Sequence, residues 1–298
     1  MAAVSITVAT PAYGEIFYTP YVQSLLRLQR AVHQRKWTIR HAAISYALVA
    51  DARNFLLTHW FDNLDTSHLL FVDADMGFEP ELIFEMIALN KPVVGVIYPK
   101  RQIDLKRLVA LAGKGEKPER AVARAHDFII RPLHGRQPRR IKGFMEVERC
   151  GTGVMLIRRD AITAMLQALP DINDTNARKT SGLAQKAKFD RLIRAFDTLY
   201  ADGVPLSDDF AFCYRWQSLC KGELWACTNR AVTHIGLHKF SSRYSDVGVG
   251  KPVITLQSRT LAKPARRATT GNGKAKINAR NSGTLRLNVS RKDRPRPK

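Results

Sequence analysis

The sequence predicts an α/β protein with a mostly parallel, Rossmann-like sheet and helices on both faces. Over residues 5–98, four short apolar runs alternate with three segments in which apolar residues recur at helical spacing. A chain that alternates strand and helix in this way forms parallel strands joined by crossover helices. Two acidic residues, Asp73 and Asp75, directly follow the third apolar run, at the end of a strand where α/β sheets bind ligands.

Local signals place the individual elements. Strands are predicted over residues 5–10, 37–44, 68–72, 93–98, 154–157, 223–228 and 231–235, and regular structure is expected to resume at residues 144–147. Helices are predicted over residues 21–33, 50–61, 80–89, 105–112, 161–169 and 207–220. Pro80 suits a first helical turn because it lacks an N–H group, and Ser207 suits an N-cap before two acids. The polar residues 171–188 are expected to form a loop, and residues 189–200 form an amphipathic segment.

The formal net charge of +22 is unevenly distributed. We expect one domain over residues 1–240, with a basic insertion at 100–142 that holds 13 Lys and Arg against four acids. Residues 241–298 are predicted to be a basic, disordered tail, since its last 48 residues carry 14 Lys and Arg against one acid. Such a tail attracts nucleic acid, anionic lipid or phosphorylated polysaccharide, or is only a solvated tail without a dedicated partner.

The composition also bears on location and redox state. No apolar run approaches the roughly 20 residues that span a bilayer. The first residues lack the basic and apolar regions of a signal peptide, so we expect a cytoplasmic protein, peripheral at the inner membrane surface if the tail binds lipid. The four cysteines show no metal-ligand spacing and are expected to be free, buried thiols.

Three polar clusters lie at element ends: Asp73 with Asp75, Asp208 with Asp209, and His234. Two neighbouring carboxylates repel unless a cation lies between them, and Mg²⁺ or Mn²⁺ shared with a substrate phosphate is the simplest candidate. The alternative is an acidic turn that caps the helix starting near residue 79. Together the clusters suit group transfer from a nucleoside diphosphate. The sequence lacks a P-loop and a Gly-x-Gly-x-x-Gly motif, which disfavours a P-loop kinase, an ATPase or a dinucleotide enzyme.

Seven short motifs follow one another between residues 10 and 236. They are Thr10-Pro11-Ala12-Tyr13, Ala52-Arg53-Asn54, Phe71-Val72-Asp73-Ala74-Asp75-Met76, Val94-Gly95-Val96-Ile97-Tyr98-Pro99-Lys100-Arg101, Cys150-Gly151-Thr152-Gly153-Val154-Met155-Leu156-Ile157, Ser207-Asp208-Asp209-Phe210-Ala211-Phe212-Cys213 and His234-Ile235-Gly236. In this order they resemble the GT-A fold glycosyltransferases, close to glycosyltransferase family 2 and its bacterial and phage relatives. Each motif alone is weak, so the resemblance indicates the fold more strongly than the donor or acceptor.

The resemblance implies roles for the acidic residues and the histidine. Asp75 binds the Mn²⁺ or Mg²⁺ that bridges the donor diphosphate, Asp73 contacts the ribose or the metal's water shell, and His234 is a further metal ligand. Asp209 matches the general base of an inverting enzyme. Asp208 stands where the family has glutamate, which leaves open which of the two acids reaches the acceptor. The alternatives are that residues 207–209 only cap a helix and that His234 is structural.

The resemblance also implies a nucleotide-sugar-binding set. It comprises Thr10, Pro11, Tyr13, Arg53, Asp73, Lys100, Gly151, Thr152 and Gly153. The alternatives are an exposed helix residue for Arg53, a plain turn for the two glycines, and a solvated edge for Lys100 and Arg101.

The sequence therefore predicts a metal-dependent glycosyltransferase that moves a sugar from a UDP- or GDP-linked donor to an acceptor hydroxyl. The basic segments favour an anionic or glycan acceptor, first a cell-envelope or lipid-linked glycan and second modified phage DNA. A non-catalytic protein on the same fold that binds polyanions or nucleic acid, or a nucleotide-sugar, is the alternative from a different class, because a fold does not determine an activity.

Overall fold

The protein is built around one eight-stranded sheet, seen in a computed structural model that describes residues 4–238 and Arg243. The basic tail predicted over residues 241–298 lies outside the described residues apart from Arg243. The domain boundary near residue 240 stays a prediction.

The strands and helices follow the order predicted for the first 100 residues. The strands are β1 Ser5–Pro11, β2 Thr38–Ile44, β3 His68–Val72, β4 Met76–Gly77, β5 Val93–Val96, β6 Pro99–Ile103, β7 His126–Phe128, β8 Ile130–Arg131, β9 Arg140–Ile141, β10 Phe144–Glu146, β11 Arg149–Cys150, β12 Val154–Arg158, β13 Asn173–Asp174, β14 Leu192–Ile193, β15 Leu199–Ala201, β16 Val204–Leu206, β17 Leu224–Cys227 and β18 Thr233–His234. The α-helices are α1 Thr19–Gln34, α2 Val49–Asn63, α3 Pro80–Leu89, α4 Leu105–Gly113, α5 Pro118–Ala125, α6 Arg159–Ala168, α7 Ala177–Thr180, α8 Gly182–Ala187 and α9 Asp208–Tyr214.

The central sheet has the strand order β2-β1-β3-β12-β5-β17-β10-β9. Six strands run in one direction, while β12 and β10 run in the other and pair antiparallel with both of their neighbours. The predicted mostly parallel sheet is therefore confirmed. The reversal of β12 brings its first residue, Val154, to the edge of the sheet at which β3 ends.

Helices cover both faces of the sheet, as predicted. Alternate residues of β3 supply two apolar cores: Leu69 and Phe71 pack with residues of α2 and α6, whereas Leu70 and Val72 pack with residues of α1 and α3. This alternation follows from the two-residue side-chain repeat of a strand. Each such side chain, fully buried, contributes about 1.5–3 kcal/mol, so β3 is anchored from both sides.

Several local predictions were wrong or incomplete. Residues 171–188 are not a plain loop, because they form a 3₁₀ turn, β13, α7 and α8. Within the amphipathic segment over residues 189–200, Leu192–Ile193 is a strand paired with β13, and apolar contacts bury both of its residues. In the basic insertion the helix α4 is confirmed, but α5 and the paired strands β6 and β7 were not foreseen. The strand predicted over residues 231–235 shrinks to Thr233–His234.

Two predictions about composition can be compared with the structure. All four cysteines are free thiols; Cys150, Cys213 and Cys227 are buried and Cys220 is half-buried. In the part of the chain that is described, no helix has the length and apolarity needed to cross a membrane.

Candidate active site

The candidate site lies at the carboxyl edge of the central sheet. The strands β1, β3 and β5 end there, and the segments that follow them contribute Tyr13, Asp73, Asp75 and Tyr98. The Asp73 N–H donates to the carbonyl of Gly153 at 3.0 Å, which ties the acidic turn to the start of the antiparallel strand β12. A further bond from the Met76 N–H to the Asp73 carbonyl, 3.0 Å long, closes the turn that separates Asp73 from Asp75.

A short pair of strands carries His234 to Asp75. In β18, His234 lies opposite Met76 of β4, and the Ile235 N–H donates to the Asp75 carbonyl at 3.0 Å. The His234 Nδ1 donates to the Pro99 carbonyl at 2.8 Å, because a carbonyl oxygen can only accept. The other ring nitrogen, Nε2, faces the Asp75 carboxylate, with 3.6 Å between Nε2 and Oδ2.

The environment of His234 favours its charged form. Burial lowers the pKa of His234, but the Asp75 carboxylate and the hydrogen bond to Pro99 outweigh burial and raise the pKa above its ordinary value. A cation that replaced the proton on Nε2 would meet the same carboxylate and the same fixed ring orientation.

Arg53 links two of the acidic clusters. Its side chain is 5% exposed, and its Nη2 donates to both carboxylate oxygens of Asp73 at 2.9 Å. Its Nη1 donates to the Asp208 carboxylate. Burial alone would lower the pKa of Arg53, but Asp73, Asp208 and Asp209 raise it, so the guanidinium stays charged. The interpretation of Arg53 as an exposed helix residue is wrong, since α2 directs it into the site.

We expect Arg53→Met to lower the free energy of unfolding by about 3–5 kcal/mol, because it leaves two partly buried carboxylates without a counter-charge. Urea unfolding at neutral pH measures this cost. The matched control is Arg27→Met, since Arg27 forms an exposed ion pair with Glu79 whose loss costs about 0–1 kcal/mol. Equal costs for the two variants would contradict the buried-pair interpretation.

Asp209 lies beside this ion-pair cluster but makes different contacts. Its carboxylate accepts hydrogen bonds from the Ser207 hydroxyl and from the Phe210 N–H, the latter at 2.8 Å. Burial raises the pKa of Asp209, and the neighbouring Asp208 raises it further. The predicted N-cap role of Ser207 is wrong in one respect: Ser207 occupies the cap position of α9, but its hydroxyl bonds Asp209 instead of a helix N–H.

Tyr98 lies in the fourth sequence motif, but the sequence analysis gave it no role in the site. It is buried after β5, and its hydroxyl accepts a hydrogen bond from the Gly153 N–H at 3.0 Å. A Cβ atom at Gly151 would lie 2.2 Å from the Tyr98 hydroxyl oxygen, and one at Gly153 would lie 2.7 Å from it. Both glycines are therefore required where Tyr98 packs against their backbone. An aromatic residue two positions beyond a buried strand end, followed by proline, was the available signal.

These side chains surround a cavity of about 500 Å³. Its lining comprises Pro11, Tyr13, Ile16, Tyr18, Val49, Arg53, Asp73, Ala74, Asp75, Tyr98, Arg101, Ile129, Asp208, Asp209 and His234. The structure thus brings together all three polar clusters that the sequence singled out.

Five members of the predicted binding set do not line this cavity, namely Thr10, Lys100, Gly151, Thr152 and Gly153. The buried Thr10 hydroxyl hydrogen-bonds the Tyr21 hydroxyl at 2.8 Å. Thr152 is buried, and its hydroxyl has no hydrogen-bond partner within the described residues. The backbone of Gly151 packs against Tyr98, as that of Gly153 does. The exposed Lys100 lines a neighbouring cavity, and its predicted role stays a prediction.

The residues around Asp75 fit a divalent cation. Asp75, directly before β4, could supply an oxygen ligand and His234 of β18 a nitrogen ligand, and the hydrogen bond to the Pro99 carbonyl fixes the histidine tautomer that leaves Nε2 available. Among residues 4–238 and Arg243, no three His, Cys, Asp or Glu side chains form a metal cluster. Two protein ligands suit Mg²⁺ or Mn²⁺ shared with a diphosphate, since such ions retain water and phosphate oxygens. Arg101 donates to Asp75 Oδ2 at 3.0 Å and would compete for that oxygen.

Comparison with known sequences yields no match: no family model and no curated protein is similar to this chain. Comparison with solved structures yields low-similarity neighbours. The protein A197 from STIV has a TM-score of 0.40 at 13% identity, over 78% of this chain and 85% of that chain. A TarS fragment from S. aureus in complex with UDP-GlcNAc has a TM-score of 0.36 at 11% identity, over 80% of this chain and 60% of that one.

A third neighbour is a Drosophila β1,4-galactosyltransferase 7 variant in complex with manganese, UDP-Gal and xylobiose. Its TM-score is 0.38 at 10% identity, over 82% of this chain and 79% of that chain. Among these three neighbours, the Drosophila protein is by its name a galactosyltransferase.

Proposed function

We propose that this chain is a metal-dependent glycosyltransferase of the GT-A type, which transfers a sugar from a UDP- or GDP-linked donor to an acceptor hydroxyl. The observation that carries the proposal is that the four acids in one cavity have different partners. Arg53 engages Asp73 and Asp208, whereas Asp75 contacts His234 and the exposed Arg101, and Asp209 accepts hydrogen bonds from Ser207 and Phe210. The residues proposed to hold the cation and the carboxylate proposed as the base line the same cavity.

The proposed metal site would stabilise the leaving group. Asp75 and His234 would hold Mn²⁺ or Mg²⁺, which neutralises the charge that develops on a departing nucleoside diphosphate. Arg101 lies against Asp75 and is placed to supply a second positive charge to the same diphosphate. Two hydrogen bonds from Arg53 hold the Asp73 carboxylate in the lining of the cavity. The remaining lone pairs of that carboxylate can accept a hydrogen bond from a ribose hydroxyl.

Asp209 is the proposed general base for the acceptor. Its raised pKa makes it a better proton acceptor than an ordinary aspartate. Asp209 lines the cavity, so an acceptor hydroxyl bound there could pass its proton directly to this carboxylate. Asp208 cannot take this role without first breaking its ion pair with Arg53.

A thermal-shift screen of nucleotide-sugars with and without Mn²⁺ tests the donor assignment. A ligand that binds only the native state at 100 times its Kd adds about 2.7 kcal/mol to stability, and each kcal/mol raises the Tm by about 2–4 °C in a protein of this size. We expect a UDP- or GDP-sugar to raise the Tm only when the metal is present. Absence of any shift across the screen, in a protein that melts cooperatively, would contradict the proposal.

The second candidate is a non-catalytic protein that binds polyanions or nucleic acid, favoured by the net charge of +22. Such binding depends on phosphate contacts, so it weakens steeply with salt and survives the loss of Asp75. Glycosylation of modified phage DNA would combine both behaviours, because it needs the metal site and a basic surface together.

A further inference from the structure

The hairpin formed by α4 and α5 in the basic insertion exposes apolar side chains. On α4, Leu105 is 66% exposed and Val109 is 71% exposed, and the two lie one helical turn apart on one side. On α5, Ala121 and Ala125 are buried and form the inner side of the hairpin. The outer side of α4 therefore carries an aliphatic stripe that the described residues leave exposed to solvent.

Positive charge borders this stripe. Lys106 follows Leu105 and precedes Val109 by three residues, so it lies at the edge of the stripe, and Lys114 and Lys117 are exposed in the loop between the helices. Residues 100–142 hold 13 Lys and Arg against four acids. Glu116, one of these acids, pairs with Arg120 and Arg124, at 2.8 and 2.7 Å. An apolar stripe edged with lysine is the pattern of a helix that lies in the interface of an anionic bilayer.

We infer that the outer side of this hairpin docks on an anionic lipid bilayer. Nucleic acid fits this surface less well, because its interfaces with proteins are polar and two exposed aliphatic side chains gain nothing from phosphates. A second copy of the chain also fits less well, because two such basic surfaces facing each other would repel. The acyl region of a bilayer accepts the aliphatic groups, while its headgroups accept the lysines.

The docking surface lies beside the candidate active site. Leu105 and Ile103 line a second cavity of about 620 Å³, which shares Arg101 and His234 with the catalytic cavity. A bilayer against the hairpin therefore places this cavity at the lipid surface. If the transferase assignment holds, an acceptor anchored in the membrane would enter through it; the docking itself does not rest on that assignment.

The test is co-sedimentation of the full-length chain with phosphatidylcholine vesicles, with and without phosphatidylglycerol, at about 0.1 M and about 0.5 M NaCl. The basic tail also attracts anionic vesicles, but purely electrostatic binding is screened at the higher salt, whereas apolar insertion is not. At the higher salt we expect Leu105→Glu with Val109→Glu to weaken binding to the anionic vesicles at least tenfold. The matched control is Val22→Glu with Leu26→Glu, a pair at the same spacing on α1, 39% and 61% exposed, which should bind within twofold of the wild type.

A fluorescent probe provides a second readout. The emission of an environment-sensitive label at Val109→Cys should shift to the blue on anionic vesicles, whereas that of the same label at Leu26→Cys should not, after subtraction of the signal from the native thiols.

Equal vesicle binding by both double variants would overturn the inference. A dimer that dissociates only in the Leu105/Val109 variant would assign the surface to a second copy, and selective loss of binding to duplex DNA would assign it to nucleic acid; either outcome would also overturn it. None of these measurements needs metal or donor, so their failure leaves the proposed transferase function untouched.

Discussion

Asp75→Asn should reduce metal-dependent hydrolysis or transfer from the donor by at least about 1,000-fold, a loss of about 4 kcal/mol in transition-state stabilisation. The asparagine keeps the size of the side chain but removes the charge that faces His234 and Arg101. The Mn²⁺-dependent rise in Tm with a nucleotide-sugar should disappear as well. Activity assays at saturating metal and thermal melts together measure the effect.

The control for this prediction is Asp73→Asn. Because Asp73 is engaged by Arg53, we expect this variant to lose stability yet to retain a metal-dependent rise in Tm with the donor. That pattern would assign the metal to Asp75 rather than to Asp73. Near-normal turnover in Asp75→Asn would contradict the metal site. Loss of the metal effect in both variants would instead make Asp73 a ligand.

Asp209→Asn should lower kcat for sugar transfer by about 100- to 10,000-fold, the usual contribution of a positioned general base. Donor and metal binding should change little, because Asp209 makes its hydrogen bonds to Ser207 and Phe210 and not to Asp75. A steady-state assay with an acceptor, beside a thermal-shift titration of the donor, separates the two effects. Asp208→Asn should act mainly on stability, since it breaks the ion pair with Arg53.

The raised pKa of Asp209 determines the sign of two pH effects. The proposed general-base role requires the ionised carboxylate, so the wild-type rate should fall as the pH drops, and it should do so at a higher pH than an ordinary aspartate would give. Between the unfolded and folded pKa values the native state binds more protons, so this residue makes the protein less stable as the pH rises through that interval. Asp209→Asn should therefore melt no lower than the wild type at neutral pH. A variant that retains full kcat, or that melts well below the wild type, would remove Asp209 from the proposed role.

Much of the architecture follows from local patterns. The helix predicted over residues 80–89 is α3 Pro80–Leu89, and the run that ends before Asp73 is the central strand β3, because both faces of that strand are apolar. The errors lie where the local signal is weak. The strand Leu192–Ile193 has only two residues, and its pairing with β13 and its hydrogen bond to the hydroxyl of Thr58 come from distant parts of the chain.

The sequence by itself determined the α/β class, the strand that ends directly before Asp73 and Asp75, and the acids and histidine that the site contains. These features follow from hydrophobic periodicity and strand ends, which are local properties of the chain. Only the tertiary structure decided which partner each of these acids contacts. Arg53 is 155 residues from Asp208, and His234 reaches Asp75 through pairing of β18 with β4. Long-range contacts of this kind separate the acids held by the buried Arg53 from Asp75, which faces His234 and the exposed Arg101, and the environment of a carboxylate determines what it can bind.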